Sequence, residues 1–166
     1  MHTLIKKLDT LFKFSTVKAH CDIPCKIYDP SEAQIAVLTM IRLVDLLNEL
    51  SEKESLSINQ KAQFTRLIMQ KEEHGLKVKE AIRVIWGDYF KQPQFDQFPE
   101  IHELSHSIML AASSAKQHVD KAACLNLLNK VNHFAEIFWA TKGIETYTAT
   151  CPYPPSQPVI YPKLSV

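Results

Sequence analysis

Four long segments of this 166-residue chain repeat their apolar residues at helical spacing, with short polar links between them. That pattern constrains the fold more than any other feature. The first segment runs from about Pro30 to Leu50, with Ile35, Leu38, Ile41, Leu46 and Leu50 on one face and Val37, Val44 and Leu47 broadening it. Asp29 is a good N-cap, Pro30 suits the first helical position, and Glu32 completes a capping-box pattern. The second segment spans about Ile58 to Phe90 behind Ser57, another cap residue, with Phe64, Leu67, Leu76, Val78, Ile82 and Ile85 marking buried faces. Gly75 is a place for it to bend or break. A third runs from about Glu100 to Gln117. The fourth runs from Lys121 to Lys142, with Asp120 as cap and Gly143 as stop. Only three glycines, and a wealth of Leu, Ile, Ala, Lys and Glu, agree with helices. There is no βαβ alternation and no internal repeat. Four helices joined by short links predict an all-α, antiparallel, up-and-down four-helix bundle over residues 29–145.

Two ends of the chain do not belong to that pattern. Residues 1–19 are basic and amphipathic, with Leu4, Ile5, Leu8, Leu11 and Phe12 at helical spacing. Asp9 and Lys13 interrupt the apolar stretch, which argues against a secretory signal. The basic character suits a transit peptide, but arginine is absent, and a removable prosegment fits best. Residues 146–166 hold five of the nine prolines and read as a tail that is extended or disordered on its own. Lys91 to Pro99, with two prolines and three glutamines, reads as a loop.

A net charge of +1 gives no preference for nucleic acid or anionic membrane, and no apolar run reaches transmembrane length. Four cysteines in a chain this long are not a disulfide framework. Two of them sit in the stretch His20-Cys21-Asp22-Ile23-Pro24-Cys25-Lys26-Ile27-Tyr28. It packs an imidazole, two thiols, a proline-fixed bend and a phenol into a few residues just before the first helix. Spacing alone leaves a half zinc site, a strained disulfide or no role at all open. A structural zinc site usually takes four protein ligands, and no second cluster is apparent.

The stretch resembles the nickel hook of nickel-dependent superoxide dismutases, His-Cys-Asp-x-Pro-Cys-x-x-Tyr, and matches every fixed letter. A second block, Trp86-Gly87-Asp88-Tyr89-Phe90-Lys91 with Phe95 and Pro99 beyond it, is similar to the same family. The resemblance covers roughly residues 20–142. It implies a left-handed four-helix bundle behind the hook, a homohexamer of such bundles, and a nickel ion cycling between Ni(II) and Ni(III) in each chain. It also implies cleavage between Ala19 and His20 by a maturation protease, since the hook needs its histidine at the chain start. The new α-amine, with an ordinary pKa of ~7.7–8.0, is a metal donor where a mid-chain peptide nitrogen is a poor one. By the same resemblance the His20 amine, the Cys21 amide and the thiolates of Cys21 and Cys25 make a planar set that suits nickel or copper, with the His20 imidazole axial in the oxidised state. Pro24 biases Ile23 toward extended backbone and so helps turn Cys25 toward the metal. Tyr28 is implied to stand over the open face, Asp22 to tune the hook by hydrogen bonds, Tyr89 to bond Tyr28 or an ordered water, and Lys91 to draw in superoxide by its charge. Asp88 and Phe90 read as structural, and Trp86 as core.

The pattern departs from the family at two positions. The glutamate and arginine that orient the axial histidine in its best-known members fall here on Ala36 and His74. Loss of such a pair removes a support that fixes a ligand's orientation. His102 and His106, at i and i+4, share a helix face but lack a third ligand and read as a surface pair.

The expected activity is therefore the dismutation of superoxide in a cytoplasmic protein, with organellar targeting by residues 1–19 left open. Two other readings stand beside it. One is a nickel- or copper-binding helical protein without turnover. The other is a structural bundle whose cysteines form a redox or zinc element.

Overall fold

The computed structural model describes residues 26–164. The hook positions His20, Cys21, Asp22 and Cys25, and the prosegment, lie outside the described residues. Four long helices form the body: α1 (Ser31–Ser51), α2 (Ile58–Val84), α4 (Ile101–Gln117) and α5 (Lys121–Thr141). A π-turn over Ile85–Tyr89 extends α2, and the segment read as a loop contains a one-and-a-half-turn helix, α3 (Gln92–Gln97). Pro93 sits in the first turn of α3, where a missing N–H costs nothing. Helix α1 packs on α2 and α5, and α4 packs on the same two, so the four close into a ring around one core. Phe90, Phe134, Phe138, Ile41, Ile82 and Leu127 fill its centre. No helix among the described residues is long and apolar enough to cross a membrane.

The helix ends follow from their residues. Asp29 Oδ1 accepts from Ser31 N–H at 2.8 Å. Ser57 and Gln60 make a reciprocal capping box. Asp120 accepts from Ala122 N–H at 2.8 Å. Helix α5 ends in a Schellman motif: Gly143, at φ +68°, donates to Ala140 O, and Ile144 donates to Trp139 O, each at 3.0 Å.

Three expectations change. Ile35 and Leu76 are 54% and 55% exposed, because each lies at the edge of its helix's apolar stripe and faces away from the ring. Gly75 does not break α2. A Cβ there would collide with Lys116 Cγ, so the glycine instead lets α2 and α4 approach closely. The proline-rich tail folds into an antiparallel hairpin, β1 (Thr146–Thr150) with β2 (Pro158–Pro162), in register Thr146↔Pro162 to Thr150↔Pro158. Its buried Cys151, Val159 and Ile160 cover α1 and α5. Gln34, only 4% exposed, donates to Ile160 O at 2.9 Å and to Asn132 Oδ1 at 3.1 Å, and Asn132 donates to Pro158 O at 3.0 Å. Two side chains of the bundle thus satisfy backbone groups of the hairpin.

Candidate metal centre

Lys26, the first described residue, has φ +56°, in the left-handed region that favours glycine. Ile27 is exposed, and Tyr28 turns back onto the bundle. Its ring meets Tyr89 at a centroid distance of 5.7 Å, inclined by 53°. A cleft of about 120 Å3 opens beside it, lined by Asp29 ahead of α1, by Glu32 of α1 and by Glu80, Val84 and Ile85.

The π-turn accounts for the placement of Tyr89. Phe90 N–H reaches back to Ile85 O at 3.3 Å, one residue further than in an α-helix. The extra residue lets Phe90 enter the core while Tyr89 stays half-buried at the bundle end. Tyr89 packs against Phe138 of α5 at 4.9 Å and edge-on to Phe90 at 5.3 Å. Its hydroxyl lies 2.7 Å from Thr141 Oγ1. Among the described residues this phenol bonds Thr141, the last residue of α5.

Lys91 and Lys142 differ in the same way. The exposed Lys91 ammonium curls back to Gly87 O at 3.2 Å. Lys142 Nζ instead stands over the rings of Tyr89 and Phe138, at 4.8 and 5.0 Å from their centroids. The cation seated on the aromatic group of this site is Lys142. Thr141 and Lys142 are the residues that sequence reasoning missed. Nothing in the residue pattern ties position 141 to position 89; only the packing of α5 on the π-turn joins them.

The two departures also have places. Ala36 is buried at 3% exposure. His74 is half-buried and its Nδ1 lies 2.8 Å from Gln70 O of its own helix. Trp86, expected in the core, is half-buried, and its Nε1–H donates to His102 Nδ1 at 3.2 Å. That bond leaves the other His102 nitrogen carrying the proton, which suits the surface-pair reading of His102 and His106. Among the described residues no group of three or more His, Cys, Asp or Glu could hold a metal ion.

A family model for nickel-containing superoxide dismutases matches residues 15–142. The chain belongs to that family. It is 35% identical over 128 residues to the nickel superoxide dismutase of Streptomyces coelicolor, covering 76% of this chain and 91% of the relative. It is 34% identical over 127 residues to that of Streptomyces seoulensis, with 76% and 90% covered. A native nickel superoxide dismutase structure superposes with a TM-score of 0.63 at 32% identity, covering 74% of this chain and 99% of the other. An apo structure superposes with a TM-score of 0.63 at 29% identity, covering 70% and 98%. Membership makes the chain an oxidoreductase with nickel as its cofactor. The helical bundle agrees with the fold these structures share. The match ends at Lys142, so the hairpin lies beyond it.

The donor set of the hook fits nickel in this family member. Two thiols and an imidazole within six residues offer the soft and nitrogen donors that nickel takes.

Proposed function

We propose that the chain disproportionates superoxide, 2 O2− + 2 H+ giving O2 + H2O2, at a hook of His20, Cys21 and Cys25 completed by cleavage between Ala19 and His20. The observation that carries this reading is the unbroken hook motif from His20 to Tyr28, directly ahead of a family-type bundle. Nickel, when bound, supplies the one-electron chemistry by alternating between Ni(II) and Ni(III). The chain's own residues do the rest. Cys21 and Cys25 hold the ion as thiolates, and His20 adds its amine and imidazole. Tyr28 stands at the hook junction against Tyr89 and limits what can approach. Asp22 tunes the hook by hydrogen bonds. Positive charge near Tyr89 comes from Lys142, with Lys91 further out, and favours an anionic substrate.

The resemblance also carries a maturation protease, a homohexamer and a cytoplasmic location into this proposal. Exposed Met69 and Leu76 on α2 and Leu110 on α4 supply apolar surface for assembly, and sedimentation of the cleaved chain tests the hexamer.

A second reading, a nickel-binding bundle without turnover, is favoured by one observation: with Ala36 apolar and His74 in contact with Gln70 O, the carboxylate–guanidinium pair of the family is missing.

Superoxide consumption by nickel-loaded chain starting at His20, beside nickel-loaded full-length chain, separates the readings. Activity in the cleaved form alone is expected, and Cys21→Ser or Cys25→Ser should abolish it. Tight nickel binding without turnover would establish the carrier reading. Equal activity in both lengths would overturn the role of the His20 amine.

A further inference from the structure

Thr141 Oγ1 has two close neighbours: Phe138 O at 2.6 Å and the Tyr89 hydroxyl at 2.7 Å. A threonine hydroxyl carries one proton, and a backbone carbonyl can only accept. The Thr141 proton therefore goes to Phe138 O. Its oxygen is left to accept, so the bond from Tyr89 runs one way: the phenol donates to Thr141. That uses the only proton Tyr89 has. Its oxygen then presents lone pairs alone. Lys142 on the ring face and Phe138 against the ring help hold this orientation.

We infer that Thr141 is a positioning residue that fixes Tyr89 as a hydrogen-bond acceptor in the site. The inference rests on the proposed reading of the Tyr28–Tyr89 end as the substrate pocket. It has a chemical consequence. Superoxide is an anion with no proton to donate, so it gains nothing from an acceptor. Water and hydrogen peroxide carry O–H donors and suit one. Tyr89 thus orders water or receives the protonated product, and the protons consumed in the reaction come from another group.

The first test needs no turnover. The tyrosine doublet in the Raman spectrum reports whether a phenol donates or accepts. The difference between the His20–Val166 chain and its Tyr89→Phe variant isolates Tyr89. It should show a donating phenol. Thr141→Val, nearly isosteric, should lose that signature, whereas Thr141→Ser should keep it. An accepting phenol in the parent chain, or a Thr141→Val spectrum identical to the parent, overturns the inference. The second test uses the nickel-loaded chain. Tyr89→Phe should keep the parent's solvent deuterium isotope effect on turnover, since Tyr89 gives up no proton. Loss of that isotope effect in Tyr89→Phe would overturn the inference. A parent chain without turnover would defeat the dismutase reading, while the Raman comparison would still decide the Thr141–Tyr89 bond.

Discussion

Helices α4 and α5 each end beside a lysine, and the two lysines are used in opposite ways. At the end of α4 the cation is Lys71, reaching across from α2 with a side chain only 1% exposed. Its ammonium donates to Ala115 O at 2.9 Å, to His118 O at 3.0 Å and to Lys116 O. A positive charge against free C-terminal carbonyls is favourable, and these three acceptors use its full donor capacity. Burial pushes the Lys71 pKa down, while Glu72, at 3.9 Å, pushes it back up. At the end of α5 the cation is Lys142, exposed to solvent on the faces of Tyr89 and Phe138. Aromatic faces hold a cation without using up its N–H donors. The first arrangement locks two helices together and can bind nothing else. The second keeps a charge in water, where it can act on an arriving anion. Burial and acceptor count separate a cation that stabilises from one that can recruit.

Removing Lys71 should have the largest effect. Lys71→Met strands three carbonyls at the end of α4, which costs about 3 kcal/mol and lowers Tm by roughly 10 °C. Urea unfolding measures the loss, and turnover per folded, nickel-loaded chain should be unchanged. A stability equal to that of the parent would show that Lys71 only fills space.

The same region should make stability fall at alkaline pH. Burial pushes the Cys124 thiol from 9.0 up to about 11, against the pull of Lys71. Between those values the unfolded chain has lost a proton that the folded chain keeps, so stability falls as pH rises from about 9 to about 11. Cys124→Ala should flatten this part of the curve by about 2 kcal/mol. Denaturant unfolding at the two ends of the window measures it.

At the α5 end the effects should appear in rate rather than stability. Lys142→Met should lower kcat/KM about fivefold and weaken its dependence on ionic strength. Thermal unfolding should barely change. Lys91→Met should be smallest, less than about twofold in kcat/KM, because that ammonium is turned to Gly87 O. A larger effect at Lys91 than at Lys142 would reverse the contrast drawn between them.

Much of the bundle was legible in the residues. The start of α2 and both ends of α5 fall within a residue of the periodic segments, because Ser57, Asp120 and Gly143 act locally and their chemistry does not depend on the rest of the fold. The hook motif was legible for the same reason: its donors are adjacent in the chain. The hairpin was not. Its turn and second strand are proline-rich, and Gln34 lies 126 residues from Ile160, the carbonyl it satisfies. The exposure of Ile35 and Leu76 was hidden too, since an apolar stripe shows where a helix can be buried but not how wide its neighbour is.

By itself the sequence determined that this chain forms capped amphipathic helices behind a run of nickel-type donors, because short-range spacing and capping chemistry decide both. Only the tertiary structure decided which side chains meet at the bundle end. Tyr89 and Thr141 are 52 residues apart, and Lys142 reaches Tyr89 only because α5 packs against the π-turn. The direction of a hydrogen bond and the exposure of a charge depend on every neighbour in space, and those neighbours come from helices that the sequence keeps far apart.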